Sequence, residues 1–183
     1  MPKNAIGIVD LSSIAAGYAT TDAMLMAANV EILLARSICS GKYMVAVGGD
    51  VAGVEAAVQA GVEASEGAII DSAVLANIDD AVLPAISGAT TVTELDALGV
   101  IESFSVTSLI EAADAAVKAA SVQLIEIRLA MALGGKAFAT LTGSVSAVQA
   151  AVDAGAGLVA DKGLLVNRVV IPRPHPNLLN EMV

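Results

Sequence analysis

The chain has 183 residues, with 9 Lys and Arg against 19 Asp and Glu for a formal net charge of −10; 56% of it is apolar and 15% charged. That is core material for one domain or for two of about 90 residues, and it excludes a disordered chain. Two Phe, two Tyr and no Trp in so acidic a chain leave neither the phosphate-neutralising charge nor the stacking rings that nucleic-acid binding uses.

The mean hydropathy is +0.78. Even so, the longest uncharged stretch, Ala137–Val152, is interrupted by Thr140, Thr142, Gly143, Ser144, Ser146 and Gln149. No run reaches the ~18–20 apolar residues of a membrane-spanning helix. Met1-Pro2-Lys3-Asn4 leads directly into an alternating segment, so no signal peptide is expected. One Cys cannot form an intramolecular disulfide, which agrees with a reducing cytoplasm. The surplus of apolar side chains points to subunit contacts.

Taken in chain order, alternation predicts a strand over Ala5–Leu11 and an Ala-rich helix holding Asp22–Asn29. A second strand follows over Val30–Ile38, then a turn at Gly41-Lys42 and a third strand over Tyr43–Val47. Asp50 is placed to cap the next helix, its carboxylate accepting first-turn N–H groups. A fourth strand occupies Ala68–Leu75. Asp79-Asp80 cap a short helix before Pro84, and Ser87–Asp96, with Gly88 and several Thr, reads as a linker.

The same grammar then returns. Ala5-Ile6-Gly7-Ile8-Val9-Asp10 reappears as Ala97-Leu98-Gly99-Val100-Ile101-Glu102, an offset of 97 − 5 = 92. Asp22, Val30 and Arg36 meet Asp114, Val122 and Arg128 at that offset. Gly41-Lys42 meets Gly135-Lys136 at 135 − 41 = 94, and Gly67 meets Gly163 at 163 − 67 = 96. Conserved order with a slowly growing offset is a tandem duplication. The second copy predicts strands at Ala97–Phe104, Val122–Met131, Ala137–Leu141 and Leu164–Ile171, a helix holding Asp114–Ser121, and a helix capped by Ser144. The domains expected are residues 4–88 and 96–183, joined by 89–95. Strand, helix, strand, strand, helix, strand is the split βαβ pattern, so each copy is expected to be an α+β, ferredoxin-like layer of antiparallel sheet under two helices.

Catalytic signals are weak. Gly48-Gly49-Asp50-Val51-Ala52-Gly53 follows a strand and opens a helix in the manner of a phosphate loop. However, the second copy keeps only one Gly in Thr142-Gly143-Ser144-Val145-Ser146-Ala147, and a tight turn accounts for both. A nucleotide-dependent enzyme therefore stands only as an alternative. His175 is the single His, so one chain holds no His-based triad or multi-His metal site. Asp10 with Glu102, and Asp79 with Asp80, form no acid–base constellation, and no catalytic residue is assigned. Cys39 sits in the loop Ser37-Ile38-Cys39-Ser40-Gly41-Lys42, with Met131 as its counterpart. It reads either as a small buried hydrophobe or, on a symmetry axis, as one member of a ring of ligands.

The repeated unit, with its Asp22–Val30 helix end and Gly-Lys strand start, resembles the bacterial microcompartment shell domain. The whole chain resembles the tandem-domain, trimer-forming shell proteins of the propanediol-utilisation type. The strings that carry the likeness are Ser37–Lys42, Val74-Leu75-Ala76-Asn77-Ile78, Leu83-Pro84-Ala85-Ile86-Ser87-Gly88 and Val170-Ile171-Pro172-Arg173-Pro174-His175. The resemblance implies a structural role in the microcompartment shell of the bacterial cytoplasm, not catalysis. It implies a homotrimer forming a pseudo-hexameric tile, edge contacts with other shell proteins, and no nucleic-acid or membrane partner. A 4Fe-4S iron–sulfur cluster shared by three chains would sit at the pore, ligated by Cys39 with Ser40 nearby, and would pass electrons across the shell to a redox enzyme inside. Ile38, Cys39, Ser40, Gly41, Leu133, Gly134 and Gly135 would line the pore, and the alternative is an opening for metabolites with no cluster. The family's edge Lys and Arg appear as Lys118 and Arg173 in the second copy. In the first copy Met26 and Asn77 stand there, with Asn29 beside them.

Overall fold

The computed structural model describes residues 5–131 and 133–181; the Met1–Asn4 segment and the outer ends of both expected domains lie outside the described residues. Strands β1 (Ala5–Leu11), β2 (Glu31–Ile38), β3 (Lys42–Gly49) and β4 (Ile69–Ala76) form one sheet, with helices α1 (Ile14–Ala27) and α2 (Val51–Ala64). After the short helix α3 (Val82–Ser87), the order repeats as β5 (Ala97–Ser103), α4 (Val106–Ala119), β6 (Gln123–Arg128), β7 (Ala137–Gly143), α5 (Val145–Asp161) and β8 (Leu165–Ile171). The sheets run β2-β3-β1-β4 and β6-β7-β5-β8, antiparallel throughout. This is the ferredoxin-like α+β layer that the duplicated pattern predicts.

By packing, the chain divides into two compact units. One comprises the residues up to Ile78 together with Ser105–Ser108 and the 130–135 loop; the other comprises Asp79–Phe104, Leu109–Leu129 and the residues from Lys136 onward. In the first unit Ala5, Val9, Leu11, Met24, Tyr43, Val45, Val47, Val54, Ala57 and Val58 form the core. Because side chains alternate along a strand, β1 sends Ala5, Gly7, Val9 and Leu11 toward the helices and Ile6, Ile8 and Asp10 the other way. Gly7 is needed at the closest approach: a Cβ there would lie 2.5 Å from Val58 Cγ2 and 2.8 Å from Val54 Cγ1. The second unit keeps this device, since a Cβ on Gly99 would lie 2.7 Å from Val152 Cγ2 and 2.9 Å from Val148 Cγ1. On the opposite face of its sheet, Val92 of the 89–95 segment packs with Leu98 and Ile125.

Both expected caps form. Asp50 Oδ1 accepts the Gly53 N–H at 2.8 Å, and Ser144 Oγ accepts the Ala147 N–H at 3.3 Å. Two expectations need correction. The strand read at Val122–Met131 ends at Arg128, because Ala130 takes a left-handed backbone (φ 33°) and the chain turns into the 130–135 loop. The short helix also does not stop before Pro84 but runs through it. Pro84 stands in its first turn, where a missing N–H breaks no helical bond. Asp79 does help to open this helix, its Oδ1 accepting the Ala81 N–H at 2.9 Å.

Candidate functional site

The site is built where the loops between the middle strands of the two repeats meet inside the first unit. After β2, the chain makes a tight turn over Cys39–Gly41, with Ser40 (φ 64°) and Gly41 (φ 72°) left-handed. Gly41 suits that conformation because it has no Cβ to clash with its own backbone. The Cys39 N–H donates to the Ala130 carbonyl at 2.7 Å. Lys42 Nζ donates to the Gly135 carbonyl at 3.5 Å. The loop carrying the thiol is thus fastened at both ends to the 130–135 loop. Cys39 and Leu133 are half-buried, Ser40, Gly41, Gly134 and Met131 are exposed, and Ile38 and Gly135 are buried. Among the described residues, no three His, Cys, Asp or Glu side chains converge within one chain.

Coupled to this loop pair through the Lys42 charge is a polar cluster for which Asp10 carried the one available signal: it continues the Ile6–Ile8 face of β1. Asp10 is 0% exposed, and neither carboxyl oxygen has a hydrogen-bond partner of good geometry among the described residues. Burial pushes its pKa up to about 6, against the pull of the Lys42 ammonium and of the approaching Val106 N–H, while the Asp71 charge adds to the rise. Asp71 accepts hydrogen bonds from Ser105 Oγ at 2.7 Å and from Ser108 Oγ. Ser105 Oγ in turn accepts the Ser108 N–H at 3.1 Å and so caps α4. In the second unit the counterpart of Asp10 is half-exposed: Glu102 pairs with Lys136 at 2.8 Å.

The other expected positions are placed as follows. Met26 is 82% exposed near the end of α1, and Asn29 and Asn77 are exposed. Lys118 occupies the same place on α4. Its Nζ lies 2.6 Å from Asp114 Oδ2, and Asp114 Oδ1 accepts the Asp79 N–H at 2.8 Å, so this lysine is held in position. Arg173 is exposed after β8. His175 is exposed in the loop before Pro176, its Nδ1 accepting the Asn177 N–H at 3.3 Å. In the Gly48–Gly53 segment the Asp50 carboxylate already occupies the helix-start N–H. A phosphate would meet a negative charge there.

Each repeat is therefore a ferredoxin-like layer, and the loops that follow the second strand of the two repeats are hydrogen-bonded to each other at Cys39 and Lys42. The BMC domain family matches residues 5–78 and 97–174, and the chain belongs to that family. It is a tandem-domain shell protein of a bacterial microcompartment, structural and not enzymatic. Across 181 residues it is 45% identical to the bacterial microcompartment shell protein PduT of Citrobacter freundii, covering 99% of this chain and 98% of that protein. One stretch of 84 residues is 46% identical to the bacterial microcompartment shell protein EutM of Salmonella typhimurium, covering 46% of this chain and 85% of that one. The crystal structure of a microcompartments protein from Desulfitobacterium hafniense superposes with a TM-score of 0.85 at 48% identity, covering 96% of this chain and 98% of that one.

Proposed function

We propose that three chains close into a tile whose central opening is lined by their paired loops, and that the three Cys39 thiolates share a 4Fe-4S cluster there. The observation that carries this reading is the fastening of the Cys39 loop to the 130–135 loop, through Cys39 N–H to Ala130 O and Lys42 Nζ to Gly135 O. It leaves a half-buried thiol beside the exposed Ser40, Gly41 and Gly134. One chain offers one sulfur, so a cluster needs one from each of several chains. Thiolates are the ligand type that iron–sulfur clusters use. Three of them leave one iron for a hydroxyl such as Ser40 or for an outside ligand. Thiolates brought together without iron would repel one another, and bound iron would offset that repulsion. Bound, the cluster supplies one-electron transfer across the shell, toward a redox enzyme inside. The tile edges meet other shell proteins through Lys118, pre-set by Asp114, and Arg173. Met26, Asn29 and Asn77 give the first repeat a less charged edge.

Anaerobic purification followed by iron analysis and a visible spectrum tests the reading. Iron and brown colour are expected in the native trimer and absent from Cys39→Ala. Unchanged iron and absorbance in that variant would refute the cluster assignment. A colourless native trimer would leave the opening as a passage for small metabolites.

A further inference from the structure

The two repeats hold the same acid–lysine pair in two different states. In the second repeat Glu102 stands opposite Phe138 across β5 and β7, and Lys136 lies two residues before Phe138. In the first, Asp10 stands opposite Met44 across β1 and β3, and Lys42 lies two residues before Met44. Each lysine is therefore the diagonal neighbour of its acid on one sheet face, within reach of a long side chain. Lys136 Nζ closes on Glu102 Oε1 at 2.8 Å. Lys42 makes no such bond, for both Asp10 carboxyl oxygens are buried without a hydrogen-bond partner of good geometry. Its Nζ donates instead to the Gly135 carbonyl at 3.5 Å, near the outer limit of a hydrogen bond.

That bond joins the thiol loop to the other repeat. A Cβ on Gly135 would lie 3.5 Å from Ser40 Oγ and 3.8 Å from Lys42 Cε, so the 130–135 loop rests on the Cys39–Gly41 turn and on the lysine stem. The second link is Cys39 N–H to the Ala130 carbonyl. Around Asp10 stand Lys42 from β3, Asp71 opposite it on β4, and the start of α4, whose Val106 N–H approaches. Asp71 is engaged by the Ser105 and Ser108 hydroxyls. Arg36 continues the same cross-strand row on β2, opposite Met44, and is exposed. Lys42 thus couples the buried acid to the loop that carries the thiol.

We propose that Lys42 is a latch on the Cys39 loop that Asp10 releases when it ionises. With Asp10 neutral, Lys42 stays on the Gly135 carbonyl. With Asp10 charged, Lys42 moves to the carboxylate, as Lys136 sits on Glu102, and the 130–135 loop loses that fastening. An ionised carboxylate is a stronger acceptor than a carbonyl, and a buried charge demands a partner. Burial brings the Asp10 titration up to about 6, so the latch opens as pH rises through that value. The device works within one chain and is independent of the cluster reading.

Amide hydrogen exchange of the full-length chain, read by mass spectrometry at the segments holding Cys39 and Leu133–Gly135, tests the latch between about pH 5 and about pH 7.5. Each rate is taken as the ratio of native protein to Asp10→Asn at the same pH, which removes the intrinsic pH dependence of exchange. The ratio is expected to be near one at the acid end and several-fold higher at the other. Lys42→Met has no latch: it is expected to exchange several-fold faster than native protein at the acid end and to match it at the other. That comparison holds even where Asp10→Asn does not fold. A native-to-Asn ratio that stays flat with pH, or Lys42→Met exchanging like native protein at the acid end, overturns the latch. An acceleration shared equally by α2 reports general loosening and overturns it as well.

Discussion

Asp10→Asn probes the cost of a carboxylate held in the interior. The folded pKa of about 6 lies roughly 2 units above the usual 3.8, and each unit corresponds to about 1.4 kcal/mol. Ionised Asp10 therefore costs the fold on the order of 3 kcal/mol above about pH 6. Between those two values the folded chain keeps a proton that the unfolded chain has released, so stability falls as pH rises through the window and levels off beyond it. Asn removes the titration while keeping the shape. Urea unfolding of both proteins at one fixed concentration, from about pH 4 to about pH 6.5, isolates this residue, because the other titrating groups and any association are common to both. The stability of native protein minus variant is expected to drop by about 2 kcal/mol across that range, which begins just above the unfolded pKa. A difference that stays constant with pH would refute the reasoning, and would mean that the Lys42 ammonium fully offsets the desolvation.

Gly155→Ala in α5 would place a Cβ 2.5 Å from the Ala112 carbonyl oxygen and 2.8 Å from Ile101 Cδ1. The helices must part, and a loss of about 1–3 kcal/mol is expected in thermal unfolding. Asp50→Ala removes the acceptor of the Gly53 N–H and is expected to cost about 1 kcal/mol, with Asp50→Ser retaining most of the stability.

Local chemistry made much of the fold legible. The alternation in Ala5–Leu11, the caps at Asp50 and Ser144 and the steady offset between copies specify strands, helix starts and duplication within a few residues of each position. What escaped depends on distant partners. Leu129 and Ala130 look like further strand residues, yet Ala130 turns away to receive the Cys39 N–H. Nothing near Asp71 announces that serines 34 and 37 positions onward will bond to it. Asp10 was readable as facing with Ile6 and Ile8, but its full enclosure comes from a segment of the other repeat. At the site, Cys39 stood out because it is single, whereas the hydrogen bonds that fasten its loop join residues about 90 positions apart.

The mismatch between Cys39 and Met131 also has an arithmetical effect. In a ring of three chains the loops number six but the sulfurs number three, and disulfides consume sulfurs in twos. However oxidising the surroundings, pairing within such a ring must leave one thiol over.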